Sequence, residues 1–142
     1  MNIPEELKTR LLSELSYVIQ KIETETDPKR RTYFLSAAHG AIERTMRFHS
    51  DGELYIIHFT LNLCYSTVSS LLGRIASGDT AVLPPGDMWE RITQYLGELR
   101  DVIEKGASTY PILEKITVLT YSMTGSGYYT SSYLMSLESP NS

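Results

Sequence analysis

From Leu54 to Gly73 the chain carries no Asp, Glu, Lys or Arg for twenty consecutive residues. About twenty apolar residues span a bilayer, so length alone would permit a membrane helix. Composition argues otherwise. His58, Thr60, Asn62, Ser66, Thr67, Ser69 and Ser70 all fall inside the run, and intramembrane polar groups are expensive. The run therefore reads as a helix of a water-soluble bundle, over residues 52–76. Leu54, Ile57, Leu61, Cys64, Val68, Leu72 and Ile75 share one face and form its core stripe. Ile56, Phe59 and Leu63 lie on another side. A helix apolar on two sides is usually covered on two sides, so this second side is expected to meet another copy of the chain. His58 and Asn62 lie between the faces, beside Tyr55, Ser66 and Ser69. They are read as a polar seam, with a ligand-lining strip as the alternative.

The same periodicity places helices around this one. Pro4 to about Glu23 carries Leu7, Leu11, Leu15, Val18 and Ile22 at spacings of three and four. Asp27-Pro28 caps and opens a second helix to about His49, with Phe34, Ala38, Ala41, Thr45 and Phe48 inward. Residues 77–86 form an interior loop. A capping pattern at Asp87 to Glu90 then opens a fourth helix, whose inward residues are Trp89, Ile92, Leu96, Leu99 and Ile103, up to Gly106. A fifth starts near Pro111 with Ile112, Ile116, Leu119 and Met123. After the glycine-rich Thr124–Gly127, a short last helix is expected around Tyr129, Tyr133 and Leu137, with a flexible tail from about residue 138. No segment alternates as a strand would. The expected fold is all-α: one domain over 1–142, an antiparallel four-helix bundle with additional short C-terminal helices.

Its chemistry is sparse. The single cysteine, Cys64, forms no intrachain disulfide and supplies no cysteine-based zinc framework. It suits a reducing cytosol, and the acidic start without an apolar run is no secretory signal, so a cytoplasmic location is expected. A net charge of −4 disfavours a general nucleic-acid binder, yet residues 28–49 alone sum to +4 from five basic residues and Glu43. Arg30 and Arg31 sit in the first turn of the second helix, where the dipole favours anions, and Arg44 and Arg47 lie further along it. These four are the candidate anion or nucleotide ligands, against a solvated face paired with Glu23, Glu25 or carboxylates of the fourth helix. His39, His49 and His58 raise the question of a metal. Glu-x-x-His and His-Glu-x-x-His are both absent. Folding the second and third helices about residues 50–51 levels Glu43 with His58 and His39 with Asn62, but Glu43 falls opposite the inner face of its helix. No metal and no other cofactor is expected. Cys64 sits in a core stripe, the serines lack a nucleophile elbow, and the glycine-rich stretch lacks the Gly-Lys-Ser/Thr of a P-loop, so no catalytic residue is assigned.

The stretch Gln94–Ile103, QYLGELRDVI, resembles the Tyr-Leu-Asn-Arg-Leu-Ser-Asp helix of cobalamin adenosyltransferases. Tyr95, Leu96, Leu99 and Asp101 match, and Gly97-Glu98 stands in place of Asn-Arg. The family's Thr-Gly-Asp-Asp-Gly phosphate loop has no counterpart. The whole chain is also similar to small archaeal helical-bundle proteins of this architecture. The resemblance implies a bundle that assembles as a trimer, with ATP and a corrinoid as the family's ligands. Two functional expectations stand together. One is a self-associating bundle, dimer or trimer, with an interaction or scaffold role and neither nucleic-acid nor membrane partners. The other is a nucleotide- or phosphate-binding bundle, a transferase in the extreme, with no particular small molecule indicated.

Overall fold

The computed structural model describes residues 1–78 and 86–124. Five helices make up the described chain: α1 (Glu5–Thr24), α2 (Pro28–Met46), α3 (Gly52–Ala76), α4 (Met88–Lys105) and α5 (Tyr110–Ser122). The all-α expectation holds, and no strand occurs among the described residues. The last helix around Tyr129, Tyr133 and Leu137, the interruption after Thr124, the tail from 138 and most of the 77–86 loop lie outside the described residues. No described helix is long and apolar enough to cross a membrane.

The helix starts follow their capping chemistry. The Asp27 carboxylate accepts from the Lys29 N–H (3.2 Å), and that of Asp51 from Glu53 and Leu54 (2.8 and 3.3 Å). Each satisfies donors that the first turn of a helix leaves free. Asp87 behaves otherwise: its side chain pairs with Arg91 at 2.8 Å and makes no cap bond. Gly106 closes α4 with φ +69, a left-handed conformation that an L side chain adopts at a cost. A Cβ built there meets nothing within 4 Å. Gly106→Ala is therefore expected to cost about 1 kcal/mol from backbone strain alone, read as a lowered urea midpoint with an unchanged slope.

Packing runs α1–α2, α2–α3, α3–α5, α5–α4 and α4–α1, a closed ring. Although consecutive in the chain, the α3 and α4 backbones do not pack directly, because α5 lies between them, and the two helices meet only through core side chains such as Leu61 and Leu96. Five helices in a ring cannot alternate direction throughout, so one neighbouring pair must run parallel. That pair is α3 and α5. Glu53, in the first turn of α3, bonds Thr109 at the start of α5, and about three turns further along both helices Cys64 meets Thr120.

The core holds Leu11, Leu15, Leu35, Ile42, Leu54, Ile57, Leu61, Leu96 and Leu99 at 2% exposure or less. Two inward assignments on α2 shift. Leu35 and Ile42 are buried, whereas Phe34 is half-buried, edge-on to Tyr17 of α1 at 6.5 Å, and Phe48 is 70% exposed. The helix ends at Met46, three residues before the expected boundary, and Phe48 beyond it no longer points along the stripe. On α3 and α4, Leu71 and Met88 are buried, while Leu72, Ile75 and Trp89 pack half-buried at the core's edge.

Candidate functional site

The two buried side-chain polar atoms without a partner among the described residues, on His39 and His58, both lie at the seam between α2 and α3. Helical side chains four residues apart lie on one stripe, so His39 and Glu43 stand one turn apart on α2, and across the seam stands His58 of α3. One ligand-type atom from each of these three side chains lies within 4.8 Å of the others. The two imidazoles meet edge to face, with centroids 5.1 Å apart and planes at 86°. On its other side His39 meets the Tyr65 ring at 6.0 Å.

Each imidazole also has one nitrogen without a partner. His39 Nδ1 and His58 Nε2 are both buried without a hydrogen bond, and a buried polar atom in that state costs about 1–3 kcal/mol. Glu43 is loosely paired with Arg47, at 3.9 Å, and both are largely exposed. Two imidazoles and a carboxylate form a donor set suited to a borderline divalent cation. Asn62, levelled with His39 by the sequence register, is exposed. Of the seam residues, His58 is the one drawn into a cluster, while Tyr55 bonds Ser50 instead, at 3.2 Å.

Further along the same seam an open groove of 660 Å³ is lined by Asp27, Lys29, Thr32, Tyr33, Tyr65 and Ser69, among others. Lys29 is the basic residue on its wall. Three of the four arginines expected to hold an anion bond acceptors within the chain, and the fourth, Arg47, makes only a long contact. Arg30 pairs with Glu25 at 2.9 Å and Arg44 with Glu14 at 2.8 Å. Arg31 donates to the Glu25 carbonyl and stacks over Trp89 at 5.7 Å, and Arg47 faces Glu43. The Asp27 N–H, followed by the Arg30 guanidinium, holds the Glu25 carboxyl below its ordinary pKa. The contacts to Glu25 and Glu14 fasten α1 to α2.

Cys64 is buried in the core, and burial pushes its thiol pKa up, away from the reactive thiolate. In the stretch resembling the adenosyltransferase helix, Leu96 and Leu99 are buried and Asp101 pairs with Arg100 at 3.1 Å. Tyr95 helps line an internal void of only 10 Å³ beside Leu35, Leu61, Cys64 and Ile116. Tyr95, Leu96 and Leu99 thus serve packing between helices, while Asp101 is exposed on the surface of α4.

Ile56, Phe59 and Leu63 emerge on the outer face of α3, and all three are exposed. Tyr55, Asn62, Ser66 and Ser70 surround them, also exposed. Protein-family models, curated proteins and solved structures yield no match to this chain.

Proposed function

We propose that this chain is a self-associating helical bundle with an interaction role, in which the outer face of α3 binds the same face of a second copy. In this reading α1–α4 are an antiparallel four-helix framework and α5 is a short insert between α3 and α4. One observation carries it: the exposed side of α3 has no charged residue between Leu54 and Gly73, and it presents Ile56, Phe59 and Leu63 at 43%, 69% and 45% exposure.

Contiguous exposed apolar surface marks interaction sites, and ordinary solvated helix faces carry charges. An uncharged face also suits an identical partner. Two-fold pairing sets each residue opposite its own neighbours, and here no like charges meet. The α5 helix, packed on α3, also exposes Val118 and Tyr121, at 64% and 58%, at the level of Asn62 to Tyr65 by the 56-residue offset of the Glu53–Thr109 bond. The nucleotide alternative gains nothing comparable, since three of its four arginines, Arg30, Arg31 and Arg44, already bond acceptors within the chain.

Sedimentation tests the reading. The chain is expected to be a dimer at micromolar concentration, and Phe59→Glu with Leu63→Glu is expected to yield monomers of unchanged helix content. A wild-type chain that sediments as a monomer throughout the micromolar range would overturn it, as would a dimer indifferent to both substitutions.

A further inference from the structure

From the seam between α2 and α3 we infer that His39, Glu43 and His58 bind one divalent transition-metal ion of the zinc class. The proposal is independent of self-association, since none of the three belongs to the outer face of α3.

The donor set selects the ion. Magnesium and calcium take oxygen ligands almost alone, whereas two imidazole nitrogens with one carboxylate oxygen suit zinc and its first-row neighbours. Geometry supplies the convergence. A zinc ion sits about 2.0–2.2 Å from such ligands, which sets tetrahedral donors roughly 3.5 Å apart. The three atoms already lie within 4.8 Å of one another, so the site closes by small side-chain rotations with both helices in place. Glu43 is the member free to make that movement, because its side chain is half exposed and its contact with Arg47 is long.

Unmet bonding gives the second, separate reason. His39 Nδ1 and His58 Nε2 are buried and unpartnered, in an interior where such atoms are ordinarily satisfied. Two neighbouring imidazoles, each with one buried unpartnered nitrogen, and a carboxylate beside them form a donor set suited to a cation. The ligands stand on two packed helices, the kind of support that fixes ligand geometry better than loops do. Three protein ligands leave a fourth position on the solvent side, next to exposed Glu43, for water or an added ligand. Other carboxylates enter no such cluster with histidine among the described residues.

The test uses the whole chain stripped of metal with a chelator. Titration calorimetry with zinc chloride is expected to show one ion per chain at micromolar or tighter affinity, and magnesium chloride no heat. Cobalt chloride in place of zinc is expected to give visible d–d absorption bands that saturate at one equivalent. Glu43→Gln changes an exposed side chain and leaves the fold intact, so its expected effect, an affinity loss of at least about tenfold, reads the site directly. His58→Ala is expected to abolish binding, with circular dichroism reporting its helix content. In the wild-type protein, zinc should move the imidazole proton resonances of His39 and His58 and leave those of His49 in place. Absence of binding at high micromolar zinc would overturn the assignment. So would affinity unchanged in Glu43→Gln, or resonance shifts centred on His49.

Discussion

Leu61→Ala is expected to lower folding stability by about 3 kcal/mol, within the range measured for buried leucine truncations. Leu61 is 1% exposed and stands where α2, α3, α4 and α5 converge, beside Leu35, Cys64, Leu96, Ile116 and Leu119. A void of 10 Å³ already exists there. Truncation enlarges that void rather than inviting collapse, because four helices fixed by their other contacts would have to move together to fill it. Cavity cost therefore adds to the lost transfer energy, and the melting temperature should fall by roughly 10 °C. Phe59→Ala on the same helix is the control, expected to change the folding stability of a chain by no more than about 0.5 kcal/mol. Association contributes to apparent stability by mass action, so both variants are compared in the Phe59→Glu, Leu63→Glu background or at one fixed protein concentration. Urea midpoints with unchanged slopes report the difference. A cost below about 1 kcal/mol for Leu61→Ala would mean that this face of α3 is not the core.

Much of this arrangement is legible along the chain, because it depends on local chemistry. The bounds of α3 follow from the Asp51 cap and the loss of apolar period after Ala76, and the end of α4 follows from a glycine that can take positive φ. What escapes is what depends on neighbours. On α2, two apolar series one residue apart compete: Phe34 with Phe48, and Leu35 with Ile42. Periodicity does not rank them. Leu35 and Ile42 win because α2 packs against both α1 and α3 and ends at Met46, which takes Phe48 off the helix. The place of α5 between α3 and α4 is hidden for the same reason, since amphipathic stripes say which side is inward and not which helix comes next. The histidine cluster shows the two kinds of information side by side. Folding the chain about residues 50–51 does bring Glu43 level with His58, but judging Glu43 by its distance from the core face misses the flank that α2 turns towards α3. Only the packed pair reveals that flank.

At the end of the bundle where α1, α3 and α5 begin, one carboxylate fastens several elements, and its removal should be felt in both stability and pH dependence. Glu53 is 11% exposed. Its Oε1 accepts from the Thr109 N–H at 2.8 Å and from the Thr109 hydroxyl at 2.6 Å, and its Oε2 lies 3.3 Å from the Met1 amine. Burial pushes the Glu53 pKa up, but the Thr109 donors and the amine together outweigh burial and leave it below the ordinary value. A carboxyl whose folded pKa is depressed adds stability above its unfolded pKa, about 4.3, and loses it as pH falls through the folded value. Glu53→Ala is expected to cost about 2–3 kcal/mol at pH 7, because hydrogen bonds to a charged acceptor are lost and the wholly buried Thr109 keeps donors without a partner. Glu53→Gln retains an acceptor but no charge, so its expected cost is smaller, about 1–2 kcal/mol. Urea midpoints measured from pH 7 downward should then converge: the gap between wild type and Glu53→Gln holds above the unfolded pKa and closes below it, once the native carboxyl is protonated. A gap constant across that window would show that the charge is not what joins α3 to α5. A wild-type midpoint rising with acid would reverse the sign and refute the assignment outright.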